Sequence, residues 1–93
     1  MYAIVCFDRP ESASLRDSHR AAHVEFLNKH SKTIVFGGPL KNTPEGASTG
    51  AIIVVNCASR EEAEAFIKAD PFLRNGVYES VAVRAFKQVF PQK

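Results

Sequence analysis

The segment Ala51-Ile52-Ile53-Val54-Val55-Asn56 carries β-branched residues from Ile52 to Val55 with no polar residue among them. A strand in a sheet with one wet face alternates apolar and polar side chains, because successive side chains point to opposite faces. Here Ile52 to Val55 send apolar groups both ways, and Tyr2 to Phe7 also offer apolar residues at both parities. The sheet is therefore expected to be covered on both faces. A chain of 93 residues holds one domain, 1–93, with a single core. Its helices can cover one face of the sheet. The expected cover for the other is a second copy, giving a homodimer packed sheet to sheet.

The element order supports this reading. Residues 1–7, MYAIVCF, form a strand that runs until Asp8-Arg9-Pro10. A helix is expected from near Ser14, where Asp17 follows Ser14 as a loose capping box, to about His30. Lys32 to Gly38 reads as a second strand closed by Gly37-Gly38-Pro39, and residues 40–50 read as a long loop with Pro44, Gly46 and Gly50. Ala51 to Asn56 is a third strand. Ser59 and Glu62 form a clean capping box opening a second helix to about Ala69, and Pro71 ends it. Residues 76–90 supply a last strand and room for a short extra one. The order β-α-β-β-α-β is the split pattern of ferredoxin-like α+β domains, with two helices on one face of a four-stranded antiparallel sheet.

Composition excludes several function classes. The net charge of +2 comes without any lysine or arginine cluster, so nucleic acid is not an expected partner. The apolar runs fall well short of the roughly 18 residues that span a membrane. The start reaches Asp8 with no basic leader, so it reads as a strand rather than a signal peptide, and the expected compartment is the cytoplasm. Cys6 and Cys57 lie in or beside strands and are expected to be reduced, inert core thiols.

Three histidines, His19, His23 and His30, all fall on the first helix. At 100° per residue Leu15, Ala22 and Phe26 share one line, and His19 and His30 lie close to it. His19 is expected to be a partly buried, hydrogen-bonded residue of that face. His23 lies further round, beside Leu27 and Arg20, where the apolar stripe meets a different environment. A His-x₃-His pair needs a third ligand to hold zinc, and no HExxH or CxxC accompanies it, so no metal is expected. General acid–base chemistry needs a carboxylate to fix the tautomer of a histidine. Asp70 extends the buried stripe of Ala63, Phe66 and Ile67, and Asp8 closes the first strand near the start of the first helix. Either is a candidate partner, and each also fits a plain capping or turn role.

These residues, taken in order, resemble a known family. An acid closing strand one (Asp8) is followed by Arg20-x-x-His23, Gly38-Pro39, Ser48-Thr49-Gly50, Asp70-Pro71-Phe72, Gly76-Val77-Tyr78 and a C-terminal RAFKQVF. The chain is similar to YciI-like proteins, which carry the YCII-related domain and belong to the dimeric α+β barrel superfamily. The resemblance covers nearly the whole chain. It implies a sheet-to-sheet dimer and a site built on a histidine–aspartate dyad. Residue by residue, the histidine is His23 and the aspartate Asp70, with Asp8 in reserve. Arg20 matches the family arginine and is expected to hold an anionic oxygen. Tyr78 either lines the pocket or packs. Phe72 stands where a tyrosine is often found, and RAF replaces KPF, which alters pocket polarity more than fold.

Similar proteins include a dehydrochlorinase of chlorinated hydroxyhydroquinones, and related barrels include muconolactone isomerases. The implied reaction is cofactor-independent: His23 takes a proton from a small phenolic or enolic substrate, Asp70 orients the imidazole, and Arg20 steadies the oxyanion. The competing readings are an isomerase, a non-catalytic dimeric ligand-binding module, and a cofactor-free oxygenase. A shared fold does not choose among them.

Overall fold

The computed structural model describes residues 1–91; the last two residues of the expected 1–93 domain, 92 and 93, lie outside the described residues. The elements are β1 (Tyr2–Asp8), α1 (Ala13–Lys29), β2 (Ile34–Lys41), β3 (Ser48–Val55), α2 (Arg60–Lys68), α3 (Pro71–Arg74) and β4 (Tyr78–Ala85). The strands form one antiparallel sheet in the order β2-β3-β1-β4, the ferredoxin-like arrangement. No helix of the described residues is long and apolar enough to cross a membrane.

The pleat sorts the central strands into two faces. Ile4, Cys6, Ala51, Ile53, Val55 and Val83 join Ala63, Phe66, Ile67, Phe72, Val77 and Tyr78 in the core beneath the helices. The alternate positions, Ala3, Val5 and Phe7 of β1 and Ile52 and Val54 of β3, turn to the opposite face, where Ala3 pairs with Val54 and Val5 with Ile52. Phe36 pairs with Val54 on that side. Phe7 and Phe36 are about half exposed, at 52% and 49%. Within one chain, then, the second apolar face is only partly covered: Val54 is buried, whereas Phe7 and Phe36 stay open.

Several local expectations are revised. β2 runs through Gly37-Gly38-Pro39 to Lys41, and β3 starts at Ser48, so the connecting loop is shorter than residues 40–50. The breakers do not stop β2 because it is an edge strand, and an edge has one side without a ladder where a proline is tolerated. Helix α1 starts at Ala13 behind Ser12, not at Ser14. Ser12 makes no side-chain cap because its hydroxyl donates to Asp8, and Asp17 pairs with Arg20 instead of capping. The inward arc of α1 is wider than the Leu15–Ala22–Phe26 line: Arg16 is buried, His23 and Leu27 are half-buried, and Ala22 is exposed. His19 is half-buried and makes no side-chain hydrogen bond among the described residues. No strand forms after Ala85 within the described residues.

Helix α2 begins as its sequence dictates. Ser59 accepts from the Glu62 amide at 3.2 Å, and the Glu62 carboxylate accepts from the Ala58 amide at 3.1 Å, so the box closes one residue earlier than the standard form. Pro71 ends α2 and also opens the short helix α3, sitting at its first turn where a missing N–H costs nothing. Gly76 closes α3 with φ +78°, a left-handed conformation that glycine adopts freely.

Candidate active site

A cleft of about 440 Å³ opens between α1 and the β2–β3 edge of the sheet. Its walls include Arg16, Arg20, His23 and Leu27 of α1, Ile34 and Pro39 of β2, Ile53 of β3, and Phe72 and Tyr78.

The His23 side chain is 13% exposed, and its Nδ1 lies 2.8 Å from Oδ1 of Asp70, a fully buried carboxylate. Asp70 is the residue before Pro71, with extended backbone, and its Oδ1 also accepts the Phe72 amide at 2.9 Å as the cap of α3. The capping role and the histidine contact are thus carried by one oxygen. An ionised carboxylate can only accept, so Nδ1 carries the proton, and in the neutral imidazole the lone pair is then on Nε2. Nε2 has no hydrogen-bond partner among the described residues. The imidazole lies flat on the Phe72 ring, with centroids 3.9 Å apart and planes 9° apart. Hydrogen bond and stack together fix both the tautomer and the ring plane.

Asp8 does not meet His23. A register shift at Phe7/Asp8 marks the end of β1, and the Asp8 carboxylate pairs with Arg16: Nε donates to Oδ2 at 2.5 Å and Nη2 to Oδ1 at 3.1 Å. Nη2 also reaches the Gly50 carbonyl at 3.0 Å, and the guanidinium carbon lies 4.9 Å from the Phe72 ring centre. Nη1 makes no hydrogen bond among the described residues. Gly50 permits this approach of β3 to β1, since a Cβ there would fall 2.2 Å from the Cys6 carbonyl oxygen.

Arg20 stands at the mouth of the cleft, largely exposed, and pairs with Asp17 at 2.9 Å. Tyr78 is buried on the floor with its ring edge-on to Phe72 at 5.9 Å. Burial, then the Asp70 charge, pushes its phenol well above the usual range. The Tyr78 hydroxyl and Asp70 Oδ2 are both buried without a hydrogen-bond partner among the described residues. Burial, then the Asp70 and Asp8 charges, pushes the Cys6 thiol up to about 12, against a smaller opposing effect of Arg16. Burial also raises the half-buried Cys57. Both thiols stay protonated near neutral pH. Among the described residues no three His, Cys, Asp or Glu side chains gather as a metal-binding group. His30 instead packs on Phe26 and Phe66.

Two site residues escaped the sequence reading. Arg16 precedes His23 by seven residues, which returns it to within about 20° of the same helical phase two turns earlier. That phase, and a strand-ending acid needing a cation, was the available signal. Phe72 stood out only as a departure from a family tyrosine, yet its ring touches both His23 and Arg16. What the arrangement offers chemically is an imidazole with one open nitrogen in a largely apolar cleft sized for a single-ring compound, with a fixed guanidinium nearby.

The sequence matches the YCII-related domain over residues 1–87. It is 35% identical to Protein YciI of Escherichia coli O6:H1 and to Protein YciI of Shigella flexneri, each covering 97% of this chain and 99% of the relative. Its fold is similar to that of 5-chloro-2-hydroxyhydroquinone dehydrochlorinase from Burkholderia phenoliruptrix AC1100, solved in complex with 2,5-dihydroxybenzoquinone. That likeness has a TM-score of 0.86 and 28% identity, covering 94% of this chain and 93% of the other. The chain belongs to the YCII-related domain family.

Proposed function

We propose that this protein is a cofactor-independent lyase that removes hydrogen chloride from a chlorinated hydroxyquinol or a related phenolic ring, with His23 as the general base. The observation that carries the reading is the open Nε2 of His23 in the cleft, with Nδ1 held by the buried Asp70. Its similarity to a dehydrochlorinase structure supports the reaction class. Nε2 takes a ring hydroxyl proton, and Asp70 stabilises the imidazolium that results. The imidazolium returns that proton to the chlorine-bearing carbon, giving a keto tautomer. A second hydroxyl deprotonation then expels chloride and leaves a quinone. The net loss is one HCl, so no oxidant is required. Tyr78 and Phe72 wall the ring, and Asp8 acts through Arg16 without touching it.

The second apolar sheet face supports a homodimer through that face, with Phe7, Phe36 and Ile52 at the contact. The test of the reaction is to incubate the protein with 5-chloro-2-hydroxyhydroquinone and follow chloride release and the quinone absorbance. Turnover that falls on the order of 10²-fold or more in His23→Gln, with the fold intact, supports the proposal. Absence of chloride release by the wild type, or full activity of His23→Gln, overturns it.

A further inference from the structure

The cleft has a second, smaller compartment at its outer end. A cavity of about 240 Å³ shares Arg16, Arg20 and Ser48 with the main cleft and adds Asp17 and Lys41. Its charges do not cancel. Asp8 occupies Arg16 and Asp17 occupies Arg20, whereas Lys41 makes no salt bridge among the described residues. Nη1 of Arg16 makes no hydrogen bond among the described residues, so the compartment is lined by an ammonium with no salt bridge among those residues and a guanidinium with a donor to spare. Glu45, the acid of the adjoining loop, is exposed and is not part of the wall. The inner end has the opposite balance: it holds the buried Asp70 carboxyl, whose Oδ2 has no hydrogen-bond donor among the described residues, and no lysine or arginine among them pairs with it there.

We infer that the cleft is polarised, and that this outer compartment binds an anionic oxygen substituent of the substrate while the reacting hydroxyl faces His23. A carboxylate or acidic enol oxygen on the ring edge away from the reacting hydroxyl is repelled from Asp70 and drawn toward Lys41 and Arg16 Nη1. The favoured substrates are therefore those single-ring phenols, hydroxyquinols included, that present a carboxylate or an acidic enol oxygen at the outer edge of the ring. This rests on the proposed function for the position of the reacting hydroxyl, but the anion preference is a matter of binding and does not require turnover.

The test is calorimetric titration with two probes that share a ring, hydroquinone and 2,5-dihydroxybenzoate. The wild type is expected to bind the carboxylate probe about ten-fold tighter at low ionic strength, and added sodium chloride should shrink that margin. Lys41→Glu should erase the preference while leaving hydroquinone affinity unchanged, and Lys41→Gln should reduce it part way. A melting curve for each variant establishes that it is folded. Equal affinity for the two probes, a preference that survives Lys41→Glu, or no binding of 2,5-dihydroxybenzoate at millimolar concentration would overturn the inference. A protein that shows the preference but releases no chloride keeps this inference and loses the proposed reaction.

Discussion

One oxygen of Asp70 serves both His23 and the start of α3: Oδ1 accepts the Nδ1 proton of His23 at 2.8 Å and the Phe72 amide at 2.9 Å. Replacement by asparagine keeps an oxygen in that place and removes only the charge. Asp70→Asn is thus expected to hold its melting temperature while turnover of the proposed dehydrochlorination falls on the order of 10²-fold, with KM little changed, because the imidazolium loses its counter-ion. Asp70→Ala removes the cap as well and should lose about 1 kcal/mol of stability besides. Steady-state kinetics and thermal melts on the two variants separate charge from positioning. Equal damage by both in both measurements would refute the division.

The Asp8–Arg16 pair is buried, with side chains 6% and 10% exposed. Removing one member leaves an unpaired charge in a dry place. Arg16→Met should therefore cost about 3–5 kcal/mol, read by urea unfolding, and Asp8→Leu combined with Arg16→Met should recover most of that loss. Additive losses in the double variant would contradict the buried-pair account.

The thiols give a pH prediction. Cys6 is pushed from 9.0 up to about 12, so the folded state holds its proton where the unfolded chain has released it. Stability from this group is complete below pH 9 and is lost as pH rises from 9 toward 12. Tyr78 adds to the same fall, starting from its ordinary value of 10.0. Melting temperatures measured from pH 7 to 11 should decline above pH 9, and the slope should be shallower in Cys6→Ala. In the native protein, iodoacetamide at pH 8 should label Cys57 and spare Cys6, which mass spectrometry of the digested protein would read directly.

Charge on the open sheet face should break the proposed dimer. Phe36 is half exposed beside Val54, and Phe36→Asp would bury a carboxylate between two sheets. Light scattering at micromolar concentration is expected to give twice the monomer mass for the wild type and the monomer mass for Phe36→Asp. A wild-type monomer would remove the homodimer from consideration.

The sequence carried the fold further than it carried the site. Strand order followed from β-branched and aromatic runs bounded by breakers, helix order from capping signals and the 3.6-residue stripe, and Ser59 with Glu62 marked the start of α2 to the residue. The Gly37-Gly38-Pro39 stretch misled because a breaker's effect depends on whether the strand is central or at an edge, and sheet position is not a local property. For the same reason the Ser14 capping signal lost to Ser12, whose hydroxyl serves Asp8 across a turn. Arg16 was hidden by its type: an arginine in a helical stripe reads as solvated until the acid that draws it inward is known to be eight residues back in a strand. Phe72 was hidden because stacking on two side chains of another helix leaves no spacing to read.

The close approach at Gly50 reaches beyond packing. A Cβ at that position would collide with the Cys6 carbonyl, and the Gly50 carbonyl is itself the anchor for Arg16. Any substitution would have to part β1 from β3 and thereby displace the guanidinium. Among divergent descendants of this architecture, a change at Gly50 should therefore be accompanied by loss of the Asp8–Arg16 couple. That gives a means of sorting which lineages retain the proposed chemistry and which have kept the scaffold for another use.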